Sequence, residues 1–100
     1  MPLLHIENAV EDYDAWKTAF DKFERFRIDN GVLSYRISRR EGDPRRVYVD
    51  LEFTTRDEAA AFIPLMEKIW QTPQARAVSS SHSTPEIRDI EEQRTLAADS

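Results

Sequence analysis

The chain has no cysteine, only two glycines and two histidines, and no apolar run approaching a membrane span. The first absence removes disulfides, thiolate metal sites, Fe–S clusters and thiol nucleophiles together, and it suits a reducing compartment. With glycine only at 31 and 42, no glycine-rich phosphate loop can be built. His5 and His82 stand far apart, without a carboxylate at a recognised ligand spacing, so no metal site is expected. There is no Ser/His/Asp signature. No basic segment followed by an apolar run opens the chain, so the protein is expected to stay in the cytoplasm. Positive charge is also short: 14 Lys+Arg face 19 Asp+Glu, and the net charge of -5 repels phosphate backbones and anionic lipid. Neither nucleic acid nor a membrane is therefore expected as a partner.

What is present is enough for one core. The 100 residues are 40% hydrophobic and 33% charged, which suits a single folded domain over 1–94 and a flexible tail over 95–100. A core of this size is modest, and a partner subunit would help it.

Leu4 and Ile6 alternate with His5 and Glu7, the period of a strand over 3–8. Asp12 then offers a cap, and Trp16, Phe20 and Phe23 recur at helical spacing, with Ala19 and Phe26 widening the stripe, so a first helix is expected to about Asn30. Gly31 follows where a left-handed residue commonly ends a helix. Period two returns over 32–39 and 46–53 around the turn formers of 41–44, which predicts a hairpin. Placing its bulky apolar residues on one face pairs Ile37 with Val49, Tyr35 with Leu51 and Leu33 with Phe53. The same register sets Ser38 opposite Tyr48, Arg36 opposite Asp50 and Ser34 opposite Glu52. Thr55 and Glu58 form a capping box for a second helix to about Gln71, with Ala59, Phe62, Ile63, Met66, Ile69 and Trp70 on one face. Pro64 lies on the other face and predicts a kink. Thr72-Pro73 predicts a further helical turn over 74–78, then a polar loop over 79–84 containing His82, then a last strand over 86–93.

This order is α+β, the split βαββαβ arrangement, with two main helices on one face of a four-stranded antiparallel sheet. The opposite face carries His5, Glu7, Ser34, Arg36, Tyr48, Asp50 and Glu52, with Leu3 and Val32 as its apolar members, and either water or a second copy must cover it.

The element order, the Val10-Glu11-Asp12-Tyr13-Asp14-Ala15-Trp16 segment, Tyr48-Val49-Asp50-Leu51-Glu52-Phe53 leading into 55–62, and the stretch 70–77 together resemble the dimeric α/β-barrel superfamily. Within it they resemble the small ferredoxin-like proteins grouped with antibiotic biosynthesis monooxygenases. The resemblance implies a homodimer whose two sheets meet in a closed barrel, with a ligand cleft between each sheet and its helices. It further implies a cofactor-free monooxygenase or cyclase acting on an aromatic metabolite, with Asn8, Arg36, Tyr48 and Trp70 orienting the substrate. The haem-degrading members of the superfamily offer another reading, in which Asn8, Trp70 and His82 follow the same order and His82 is the haem ligand. His82 falls about two residues beyond that ligand's place, which is nearer Ser80. A third reading is a non-catalytic ligand-binding or assembly module.

The residues themselves leave alternatives open. Arg36 opposite Asp50 suits a cross-strand ion pair inside a barrel as well as an oxyanion partner. His5 and Glu7 share a face and form a candidate proton-handling pair, and Asp50 and Glu52 crowd beside Tyr48. Asn8 equally suits a hydrogen-bonding role at a strand end, Trp70 a core position and His82 a solvated loop. Arg39, Arg40, Arg45 and Arg46 cluster at the hairpin tip, where they suit an anionic partner or, offset by Glu41 and Asp43, a solvated turn.

Overall fold

Strict alternation governs the first strand, β1 (Pro2–Val10), in which every second residue from Pro2 is buried and the residues between are half-buried. The computed structural model describes residues 1–96. After β1 come α1 (Tyr13–Asp21), α2 (Glu24–Asp29), β2 (Ser34–Arg40), β3 (Asp43–Glu52), α3 (Arg56–Trp70), α4 (Pro73–Val78), β4 (Ser79–His82) and β5 (Glu86–Asp89). Of the tail expected at 95–100, positions 97–100 lie outside the described residues.

The sheet runs β2-β3-β1-β4, all pairs antiparallel, and β5 also pairs with β1. The hairpin register is the expected one: Ser34 faces Glu52, Tyr35 Leu51, Arg36 Asp50, Ile37 Val49 and Ser38 Tyr48. The four-strand count needs correction. The polar segment 79–84 is not a loop throughout, because Ser79–His82 pairs with β1 at Asn8, Ala9 and Val10, while Glu86–Asp89 pairs with Pro2, Leu3, Leu4 and His5. Since β3 fills one edge of β1, β4 and β5 form one interrupted strand along the other. Pro85 has no N–H to give the ladder, and Ser83 carries the register across the gap. Its N–H donates to the Glu7 carbonyl at 2.8 Å, and its hydroxyl oxygen accepts the Glu7 N–H at 2.9 Å.

The first helix is also divided. Its carbonyl at Phe20 accepts the Phe23 N–H at 3.2 Å and a guanidinium N–H of Arg27, so the i to i+4 ladder ends there and α2 starts afresh at Glu24. Gly31, with φ of 93°, follows α2 as expected and turns the chain toward the sheet. The turn inverts the sides expected of the next two residues. Val32 packs against the core, whereas Leu33 is 54% exposed. Val32 donates its N–H to the Arg27 carbonyl, so it belongs to the helix exit and the strand period begins only at Ser34.

Asp12, Thr55 and Thr72 cap α1, α3 and α4, and the Thr55/Glu58 box has both of its reciprocal bonds. Pro64 is exposed and α3 continues through it. The core lies between the sheet's inner face, with Leu4, Ile6, Val49, Leu51 and Phe53, and Trp16, Ala59, Phe62 and Met66 of the helix layer. Phe62 joins the two, its ring centroid 5.5 Å from that of Phe53 and 5.7 Å from that of Phe26.

Replacing the fully buried Phe53 by Ala should lower the unfolding free energy by about 3–5 kcal/mol. Thr55→Ala, which removes the cap, should cost about 1 kcal/mol. Urea denaturation followed by circular dichroism measures both, and equal midpoints for the two variants would contradict this packing.

Candidate functional site

Between the sheet and the helix layer the core is left incompletely filled. A cleft of about 90 Å³ lies there, and its walls include apolar side chains of the sheet, Ile6 and Val49, and of two helices, Trp16 and Phe20 of α1 with Met66 and Trp70 of α3. Among the lining groups with hydrogen-bonding chemistry are Asn8, Arg27, Trp70 and His82.

Asn8 owes its position to the pleat of β1. As an even-numbered residue it falls on the same face as Leu4 and Ile6, and it is 3% exposed. The interruption of the edge strand brings His82 directly across from it. Asn8 Oδ1 and His82 Nδ1 are 2.6 Å apart, while Asn8 Nδ2 donates to the Val47 carbonyl at 3.4 Å. The Val47 carbonyl orients the amide, because flipping it would turn two acceptors toward each other. With Oδ1 turned to His82, Nδ1 carries the ring proton and Nε2 keeps the lone pair.

Trp70, at the end of α3, lies flat on this imidazole, with centroids 4.0 Å apart and planes within 6°. Burial lowers the His82 pKa from 6.5 to about 4, so the ring is neutral at ordinary pH. The placement of His82 differs from the solvated loop position considered above. It is a strand residue, partly buried between an amide and an indole.

Arg27 was not singled out in the sequence, although it follows Phe20 by seven residues and Phe23 by four, and so falls on the aromatic stripe. It is 7% exposed. Its guanidinium carbon lies 3.6 Å from the centre of the Phe20 ring and 5.3 Å from that of Tyr35. One Nη donates to the Phe20 carbonyl and to Glu24 at 3.3 Å, and its Nε has no partner. Burial pushes its pKa below the usual arginine value, Glu24 opposes this, and the group remains a cation.

The other two residues expected to orient a substrate are elsewhere. Arg36 and Tyr48 lie on the outer face of the sheet, not in the cleft, because their positions in β2 and β3 are out of phase with the inward-facing Ile37 and Val49. The cross-strand ion pair expected between Arg36 and Asp50 is absent among the described residues. Asp50 instead accepts from His5 Nδ1 at 2.6 Å, and His5 Nε2 lies 3.4 Å from Glu7. Tyr48 stacks on His5 with centroids 6.1 Å apart. Arg36 borders a polar depression that Ile90, Glu92, Gln93 and Arg94 also line. At the hairpin tip, Arg39 covers the Tyr13 ring at 4.3 Å, and Arg40 and Arg45 are exposed.

Haem with His82 as ligand does not fit this cleft. The imidazole has a suitable nitrogen, but a cavity of about 90 Å³ is far smaller than a four-pyrrole macrocycle.

No family profile matches the chain, and no curated protein does. Solved structures do. A protein from Nitrosomonas europaea, assigned provisionally to the antibiotic biosynthesis monooxygenases, is 18% identical over 92% of this chain and 100% of its own, with a TM-score of 0.67. A dimeric ferredoxin-like protein from an uncultured marine organism is 15% identical over 93% of this chain and 98% of its own, with a TM-score of 0.63. SnoaB, a cofactor-independent oxygenase from Streptomyces nogalater, is 14% identical over 97% of each chain, with a TM-score of 0.59. At these identities the likeness establishes the ferredoxin-like α+β fold, and activity has to be argued from the site.

The neutral His82 makes stability depend on pH. Its folded pKa of about 4 lies below the 6.5 of the unfolded chain, so between these values the unfolded state binds more protons. Stability should be unaffected by this group above about pH 6.5 and fall as pH drops toward 4, by about 1–2 kcal/mol after allowance for the ring's partial contact with solvent. Urea midpoints across this range should show the loss in the native protein and a smaller one in His82→Gln. An NMR titration placing the His82 pKa above 6 would contradict the assignment.

Proposed function

We propose that this chain is a cofactor-free oxygenase acting on a small, flat, acidic aromatic metabolite held in the cleft beside Trp70. The observation that carries the proposal is the Asn8–His82 pair, which presents an unprotonated Nε2 within an apolar, aromatic-walled space. SnoaB, similar in fold, is described as a cofactor-independent oxygenase, which supports the same class of chemistry for this chain.

The reaction such a site suits needs no outside reductant. His82 Nε2 takes a proton from a doubly activated ring methylene, and the carbanion is delocalised over the aromatic system. The carbanion gives its electrons to dioxygen and forms a carbon–oxygen bond, and the resulting hydroperoxide loses water to leave a carbonyl. The methylene is oxidised by four electrons and dioxygen is reduced by four, one oxygen entering the product and one leaving as water. The cleft's apolar walls shield the carbanion from water. At about 90 Å³ the cleft is smaller than the roughly 150 Å³ cavity that accepts benzene, so even a single ring requires the helix layer to yield and a fused system requires it to yield further.

The outer sheet face is proposed to join two copies. The dimeric description of a neighbouring fold supports this, as does a polar face already internally paired through His5, Asp50 and Glu7. Sedimentation should then give twice the chain mass of 11.7 kDa.

Aerobic incubation with an anthrone-type phenol should consume dioxygen and substrate one to one without nicotinamide or flavin, and His82→Ala should lower the rate by about 10²–10⁴-fold. Binding without oxygen uptake would favour a non-catalytic ligand-binding module. A rate unchanged in His82→Ala would overturn the assigned base.

A further inference from the structure

We propose that Arg27 is the anion-binding group of the cleft, and that its guanidinium takes a carboxylate or phenolate oxygen carried by an aromatic ligand. The inference shares with the proposed function only the cleft and its aromatic occupant, and needs no oxygen chemistry. Three observations carry it. Arg27 is 7% exposed and lines the cleft with Asn8, Trp70 and His82. Its Nε is the one buried side-chain nitrogen or oxygen without a hydrogen-bond partner among the described residues. One Nη is held by the Phe20 carbonyl and by Glu24, and the guanidinium plane lies on the Phe20 ring, so the group is fixed in place with donors to spare.

A buried donor left without an acceptor is costly. A guanidinium offers several donors in one plane, and Glu24, whose side chain is about half exposed, engages only one of its nitrogens. The cleft therefore holds a cation that only one carboxylate, the half-exposed Glu24, hydrogen-bonds, with Asp21 acting on it through charge alone, beside surfaces suited to an aromatic ring. A neutral hydrophobic ligand would fill the apolar walls and leave the guanidinium's charge incompletely matched. An aromatic oxyanion would meet both.

The test is equilibrium binding, without oxygen, of benzoate and its neutral counterpart benzamide, with phenolate-forming 4-nitrophenol as a third probe. Binding is followed by NMR through the indole N–H signals of Trp16 and Trp70, both of which line the cleft. Benzoate is expected to bind about tenfold or more tightly than benzamide. Arg27→Met should abolish the preference while leaving benzamide binding in place. Because Arg27→Met removes a buried group and can unsettle the fold, Glu24→Gln provides a second variant on the surface side. Removing the competing carboxylate should tighten benzoate binding several-fold and leave benzamide unchanged. If 4-nitrophenol binds more tightly above its pKa than below it and benzoate shows no preference, the oxyanion is a phenolate. Equal affinities for charged and neutral probes, or a charge preference kept in Arg27→Met, would overturn the assignment. So would indole signals unmoved by any probe at millimolar concentration. A protein that binds benzoate as expected but consumes no oxygen would sink the oxygenase reading and leave this one standing.

Discussion

The pairing of β1 along both edges sets the position of both polar clusters in this molecule. β3 lies against one edge, and β4 and β5 lie end to end along the other. Once both edges are paired, the pleat alone decides that Leu4, Ile6, Asn8 and Val10 face the helices and that Leu3, His5 and Glu7 face outward. A slip of one residue would bury His5 and Glu7 in the core and expose Leu4 and Ile6. Apolar burial on one side therefore fixes the hydrogen-bonding partners on both.

The two histidines illustrate how differently the two sides treat one kind of side chain. His5, on the outer face, lies between the carboxylates of Asp50 and Glu7. His82, on the inner face, meets a neutral amide and an indole plane, and burial holds it neutral. An inner-face carboxylate in place of Asn8 would favour a protonated ring and remove the free lone pair on Nε2. The amide thus selects a tautomer without selecting a charge. It can do so only because the Val47 carbonyl on β3 occupies its other end, which ties the state of His82 to the β1–β3 register.

Much of this could be read in the sequence, and the reason is the same throughout: where one face is buried, period and register are strongly constrained. The hairpin pairs, the three helix caps and the inward set on β1 follow from short-range rules. The departures lie where a tertiary contact competes with a local rule. Ser79–His82 has little of the composition of a strand, and it becomes one because an unpaired edge of β1 waits beside it and Ser83 continues the ladder. Arg36 and Asp50 are opposite each other as expected, but Asp50 has neighbours on two strands and His5 of β1 is the one that reaches it. For the site, Asn8 and Trp70 were legible as a pair with His82, whereas Arg27 was not, because an arginine in an aromatic helix stripe passes as its polar flank.

Arg27 also serves the break between the two helices. An apolar residue at 27 could pack on the Phe20 ring, but it could not donate to the Phe20 carbonyl at the break. A lysine could reach the carbonyl as a point charge but has no plane to lay over the ring. The guanidinium does both, and its planarity holds the remaining donors in one plane. The capped break between α1 and α2 and the unpartnered Nε therefore meet at one side chain. That side chain brings a buried positive charge to the cleft wall, which the apolar core does not require for its own packing.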